Sequence, residues 1–269
     1  MITRRPALLF VTSQNTAAAL QIVRALLASP VQPHVRVLFE QQVRTLRQRA
    51  RAQWRHLRRN GLLWIPYRFA ALLGEMFRKS EARGPTLLDA LDDLHRSFPG
   101  RFTARVVPNL HDPAVLREVR EAAPDLGIVF GTRVLRAELF TIPRLGMVNV
   151  HQGRLPDYRG MPPGFWELYN GEQSAGVTLH RVAAGLDTGE ILCQQTISIR
   201  SDETLASLQS RLESAVLERI GGWIEVVLSG QVCPQPQRPG NKTYTAPTVY
   251  ERLELRRRLR QRRKKWHAR

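Results

Sequence analysis

Asn149-Val150-His151, His180 and Asp187 are the residues of this chain whose types suit proton and acyl chemistry, and they lie within one short stretch. An amide N–H steadies an oxyanion without changing charge. An imidazole gives or takes a proton near neutrality, and a carboxylate orients that imidazole and accepts a proton itself. Gathered at one point, these groups could stabilise a tetrahedral oxyanion while an amine takes over an acyl unit. No Ser or Cys stands in a nucleophile motif, so a covalent enzyme intermediate is not called for. Beside them run Leu155-Pro156-Asp157-Tyr158-Arg159-Gly160 and Leu186-Asp187-Thr188-Gly189, with the glycine and proline that tight loops require.

Such residues need a rigid carrier. Residues 7–12 are a continuous apolar run of buried-strand length, Ser13 offers an N-cap, and 17–27 repeats apolar residues at helical spacing. Residues 34–39 read as a second strand, and strand–helix–strand opens a parallel sheet. Further strands are expected at 102–107, 126–130, 146–150, 177–180 and 191–199. Asp112-Pro113 starts one helix, with Pro124 ending it. A longer helix starts at 201–203 and buries Leu205, Leu208, Leu212, Val216, Ile220, Trp223 and Val227. The expected class is α/β: a Rossmann-like, mostly parallel, doubly wound sheet. Asn149 and His151 then stand at the C-terminal end of a strand, where open sheets bind ligands.

The joint pattern resembles the formyltransferase family that uses 10-formyltetrahydrofolate. In that family a strand ends in Asn-x-His, one loop reads roughly Ser-Leu-Leu-Pro-x-Tyr-Arg-Gly, and another reads Leu-Asp-Thr-Gly or Leu-Asp-Gly-Gly. Here these are Asn149-Val150-His151, Gly153-Arg154-Leu155-Pro156-Asp157-Tyr158-Arg159-Gly160 and Leu186-Asp187-Thr188-Gly189. The resemblance is dense between residues 124 and 199 and thin elsewhere. It implies that Asn149, His151 and Asp187 are a formyl-transfer triad, with 10-formyltetrahydrofolate as co-substrate and no metal. It implies a pterin pocket lined by Arg133, Val134 and Leu135 on one side and by Val182, Gly185 and Leu186 on the other. The stretch Val182-Ala183-Ala184 lacks the acids common in the family, so that loop would act through its backbone. Leu155, Pro156, Tyr158, Arg159 and Gly160 would form a mobile loop on the substrate side, and His180 either ties the structure or aids catalysis.

Charge separates this core from its additions. Of the formal +18, residues 44–83 hold +9 and residues 251–269 hold +8, while 84–250 is nearly balanced. Within 40–100 a basic helix over 40–59, an apolar stretch broken by Pro66, and an acidic helix over 85–98 read as a helical insertion. A domain over 1–240 followed by a basic helix or tail over 241–269 is the expected organisation. Three readings stay open for the basic segments: docking on an anionic membrane surface, contact with RNA, or a solvated face over residues packed on the domain. No apolar run is long enough to span a bilayer. Two cysteines, Cys193 and Cys233, suit neither a disulfide framework nor a zinc site, so a reducing cytoplasm is expected.

The acceptor is expected to be a small-molecule primary amine, with an amino sugar preferred. The purine branch of the family carries a glycine-rich phosphate loop after its first strand, whereas this chain has Thr12-Ser-Gln-Asn-Thr16. The initiator-tRNA branch carries a β-barrel that residues 231–269 are too short to form, yet a methionyl-tRNA formyltransferase-like activity stays as an alternative. A 10-formyltetrahydrofolate hydrolase would use the same triad but carries a regulatory domain ahead of the first strand. An adaptor protein on the same fold is the reading from another class, and the intact triad argues against it.

Overall fold

β1 (Ala7–Thr12) is apolar without interruption because both of its faces are covered. It is an interior strand, beside the central β4, of a seven-stranded sheet ordered β3-β2-β1-β4-β5-β7-β8. β2 (His34–Glu40), β3 (Phe102–Val107), β4 (Leu126–Phe130) and β5 (Met147–His151) run parallel to it. β7 (Ser174–Arg181) pairs antiparallel with β5, and β8 (Ile191–Ser198) pairs antiparallel with β7. The sheet is therefore mostly parallel, Rossmann-like and covered on both faces. This computed structural model describes residues 4–13, 16–41, 45–81, 87–238 and 242–267. Gln14, Asn15 and Pro85 lie outside the described residues, as do the side chains of Leu73, Met76 and Phe77.

Alternation along the strands splits the core in two. Leu8 and Phe10 of β1 face α1 (Thr16–Ala28), α4 (Leu87–Ser97) and α8 (Leu205–Leu228), where Leu26, Leu94, Leu212 and Ile220 are buried. Leu9 and Val11 face α5 (Pro113–Ala122) and the short α6 (Ala137–Phe140), meeting Val115, Val119 and Leu139. Asp112 caps α5, its carboxylate accepting from Ala114 N–H at 2.8 Å, and Pro113 takes the first helical position. α8 starts at Leu205 rather than 201 because Thr204 is its cap. Ile224 and Ala215 join its buried face, while Leu205 and Trp223 are only partly buried.

Several boundaries differ from the sequence pattern for local reasons. The Ser13 hydroxyl donates to Glu40 Oε2 at 3.1 Å, and the two residues between it and α1 lie outside the described residues. Glu40 ends β2, so the basic helix begins later, as α2 (Leu46–Asn60), behind a Thr45–Gln48 capping box. A 3-10 turn (Gly61–Leu63) leads into α3 (Trp64–Glu81). Pro66 does not break this helix. It stands in the first turn, where its missing N–H would have had no partner inside the helix. Four short elements had no foreseen counterpart: α6, β6 (Arg159–Gly160), α7 (Phe165–Asn170) and β9 (Thr243–Tyr244). β6 and β9 pair parallel to each other. α9 (Val249–His267) follows, with Val249 and Leu255 buried, so the basic C-terminal segment is anchored on the domain.

Candidate active site

Spacing along β5 places Asn149 and His151 on one side of the strand, two residues apart. The antiparallel register sets His180 of β7 opposite Asn149. Asp187 then enters from the β7–β8 connection with φ 51°, a left-handed conformation that Asp tolerates better than most residues and that concentrates at functional sites. The structure brings the three predicted residues together. Asn149 Nδ2 donates to Asp187 Oδ1 at 3.2 Å, and His151 Nδ1 lies 3.6 Å from Asp187 Oδ2.

His180 is part of the same cluster. Its Nε2 is 3.0 Å from Asn149 Nδ2 and 3.5 Å from Asp187 Oδ1. Its Nδ1 lies 2.9 Å from the Arg181 carbonyl, which can only accept, so Nδ1 carries the proton and Nε2 accepts from Asn149. The same logic fixes His151, whose Nε2–H donates to the Tyr158 carbonyl at 2.8 Å and leaves Nδ1 facing the carboxylate. Gly160 N–H donates to Asp187 Oδ2 at 2.9 Å, and the Asp187 carbonyl accepts from Gln237 Nε2 at 3.0 Å.

The electrostatics follow from burial and these contacts. Burial alone would raise the Asp187 carboxyl, but its contacts with His180 and His151 and the Gly160 N–H outweigh it and hold the group near 2. Burial lowers His151 below its ordinary value, and the neighbouring carboxylate only partly opposes this. A neutral imidazole beside an ionised carboxylate at neutral pH is a proton acceptor, because a proton on Nδ1 turns a lone-pair repulsion into an ion pair.

A cleft at the C-terminal edge of the sheet is lined by Asn149, His180 and Asp187 together with Arg133, Val134, Leu135, Val182, Gly185 and Leu186. Val129, Leu135 and Val182 give it apolar walls, and the two loops give it backbone donors and acceptors. The Arg133 guanidinium turns away from the triad, gripping buried Glu40 at 2.8 Å and Asn109 at 2.7 Å. The Glu40 bond raises Arg133 above its usual value.

The 155–160 stretch packs against the domain. Leu155, Tyr158 and Arg159 are buried. Arg159 is held by Gln237 Oε1 at 2.8 Å, and the Leu155 carbonyl by Gln194 Nε2 at 2.8 Å. Tyr158, Arg159 and Gly160 line a small recess with Gly153, Glu167 and Tyr244, while Leu155 and Pro156 line neither this recess nor the cleft. Glu167 is buried, its Oε1 has no partner among the described residues, and burial pushes its carboxyl up to about 7. Gly153 stands where the resembled pattern has Ser; a Cβ there would lie 2.5 Å from His151 Nε2.

The profile of the Formyl transferase family matches residues 78–220. Methionyl-tRNA formyltransferase of Trichlorobacter lovleyi is 37% identical over 139 residues, 51% of this chain and 44% of that protein. That of Geobacter metallireducens is 40% identical over 127 residues, 46% of this chain and 40% of that protein. The chain thus spans less than half the length of these relatives. Among solved structures, glycinamide ribonucleotide transformylase 1 from Symbiobacterium toebii aligns with TM-score 0.60 and 16% identity, over 87% of this chain and 94% of its own. A sugar N-formyltransferase from a Shewanella species aligns with TM-score 0.59 and 13% identity, over 95% of this chain and 88% of its own. At those identities the likeness is one of fold. The profile covers more than half of the sequence and includes Asn149, His151 and Asp187, and the chain belongs to the formyl transferase family.

Proposed function

We propose that this chain moves a formyl group from 10-formyltetrahydrofolate to a small-molecule primary amine, with an amino sugar as the preferred acceptor class. The observation that carries this reading is the convergence of Asn149, His151 and Asp187, two of which, Asn149 and Asp187, line the cleft between the 132–135 and 182–187 segments. Arg133, Val134 and Leu135 on one wall and Val182, Gly185 and Leu186 on the other would hold the folate. When bound, it supplies a formyl carbon on a nitrogen leaving group.

The protein's part is positioning and proton handling. As the amine lone pair attacks the formyl carbon, negative charge grows on the formyl oxygen. The Asn149 amide is the donor that meets it, exchanging a present partner for that oxygen. The proton shed by the amine passes to His151 Nδ1, where Asp187 holds it as an ion pair. Breaking the bond to the leaving nitrogen returns that proton, and the triad ends as it began. His180 keeps Asn149 oriented by accepting one of its amide hydrogens.

A methionyl-tRNA acceptor is the second reading, favoured by the names of the curated relatives. The test is tetrahydrofolate release from 10-formyltetrahydrofolate with amino sugars, with aminoacyl-tRNA, and with no acceptor. Release dependent on an amino sugar supports the first reading, and release with tRNA alone supports the second. Equal release without acceptor identifies a hydrolase.

A further inference from the structure

The hairpin of α2 and α3 carries a row of large apolar residues that the domain does not cover. Among the described residues, none from 41–89 belongs to either core. Leu62 is 79% exposed and Phe69 64%, and Trp54, Leu63 and Ile65 are each more than half exposed. Internal contacts hold the hairpin: the His56 and Trp64 rings stack at 4.6 Å, and Trp64 Nε1 donates to Gln53 at 3.2 Å. Its tip is tied to the domain where Asn60 Oδ1 accepts from Val249 N–H at 2.8 Å and Arg59 donates to Thr245 at 3.1 Å. Beside that anchor, Tyr250 and Leu253 at the start of α9 are exposed as well. A patch of this size and kind marks a surface meant to be covered.

The charges around the patch say by what. α2 spells LRQRARAQWRHLRRN, with arginines on every turn and no acid. On α9, Arg256, Arg257, Arg260 and Arg263 gather beside Leu253. A second copy of this chain would set these arginines against their own kind. Nucleic acid would satisfy the arginines and stack on the aromatics, yet leave Leu62, Leu63 and Ile65 in water. An anionic bilayer takes both: phosphates meet the guanidinium groups, and the acyl boundary takes the aliphatic and aromatic side chains. No described helix is long and apolar enough to cross a membrane.

We propose that the α2–α3 hairpin, with the adjoining start of α9, is a docking surface for an anionic lipid bilayer. The docking stands independently of the formyl-transfer reading. Its anchor at Thr245 and Val249 adjoins β9, whose partner β6 bears the Gly160 N–H bonded to Asp187. A hairpin lying on the membrane is thereby joined to the candidate site by one short segment.

Co-sedimentation of the full chain with vesicles of phosphatidylcholine alone, or with about 30% phosphatidylglycerol, tests this. The chain is expected to pellet with the anionic vesicles only and to be released by salt. Leu62→Glu with Ile65→Glu should weaken partitioning at least about tenfold while leaving the melting temperature within error, since both residues are exposed. No pelleting, equal pelleting with neutral vesicles, or undiminished binding by the double variant would each overturn the proposal. So would a dimer in analytical ultracentrifugation that the double variant disperses, since a second copy would then be the occupant. Tight binding of a single-stranded RNA oligonucleotide without vesicle binding would give the surface to nucleic acid.

Discussion

Asp187 is the residue on which the others depend: it meets Asn149, His151, His180 and the Gly160 N–H within 3.6 Å. Asp187→Asn preserves its size and removes its charge. The expected result is a loss of at least about a hundredfold in kcat. Its folded carboxyl titrates near 2 against an ordinary 3.8, so its contribution to stability is complete above about pH 4 and is lost as pH falls toward 2. Acid unfolding of wild type and Asp187→Asn should therefore converge below that window. His151 lies below its ordinary value, and the mechanism needs it neutral, so kcat/KM should rise with pH through an apparent pKa under 6.5. A rate that falls through that range would mean that the protonated imidazole is the working form. Glu167 gives the opposite linkage. Its raised carboxyl binds a proton that the unfolded chain has already released, so stability declines as pH climbs from about 4.5 to 7. Glu167→Gln should be near neutral at pH 5 and stabilising at pH 8, read by denaturant midpoint.

At the scale of elements, the site is held by pairings that are far apart in sequence. β6 and β9 join residues 159–160 to 243–244, and Gly160 has φ 91° with the Tyr244 carbonyl lying directly where a Cβ would go. Gly160→Ala should cost about 1–3 kcal/mol of stability and lower kcat by displacing the N–H that holds Asp187. Gly171→Ala, also at positive φ but with open space around it, is the control and should leave kcat unchanged. The parallel strands, α5 and α8 were legible because apolar period and capping residues are local signals. Asn149 and His151 were legible through the Asn-x-His motif of the resembled family, which is local as well. Gln237 and Tyr244 were not, since they sit in a proline-rich stretch with no periodicity and reach the site only through the folded topology. Glu40 read as the start of a helix, yet it closes β2 and fixes Arg133, a role visible only once β2 and β4 lie on either side of β1.

For the whole molecule, charge divides between a near-neutral body that carries the candidate site and two strongly basic segments. If the cleft is the folate pocket, tetrahydrofolate should stabilise the fold by about 2.7 kcal/mol at a hundredfold excess over Kd, read as a rise in Tm. Arg133→Ala, which removes the link to Glu40, should reduce that rise. The additions should change where the protein sits without changing its triad, so vesicles that bind the hairpin variant poorly should leave its folate response intact. The most direct test of the account follows the formyl carbon itself. The chain is incubated with 10-formyltetrahydrofolate labelled in that carbon and a panel of amino sugars, and the products are read by mass spectrometry. The account predicts label in an N-formyl amide with wild type, reduced at least about a hundredfold in His151→Ala. Label recovered only as formate, or amide formation by His151→Ala and Asp187→Asn equal to that of wild type, would contradict it.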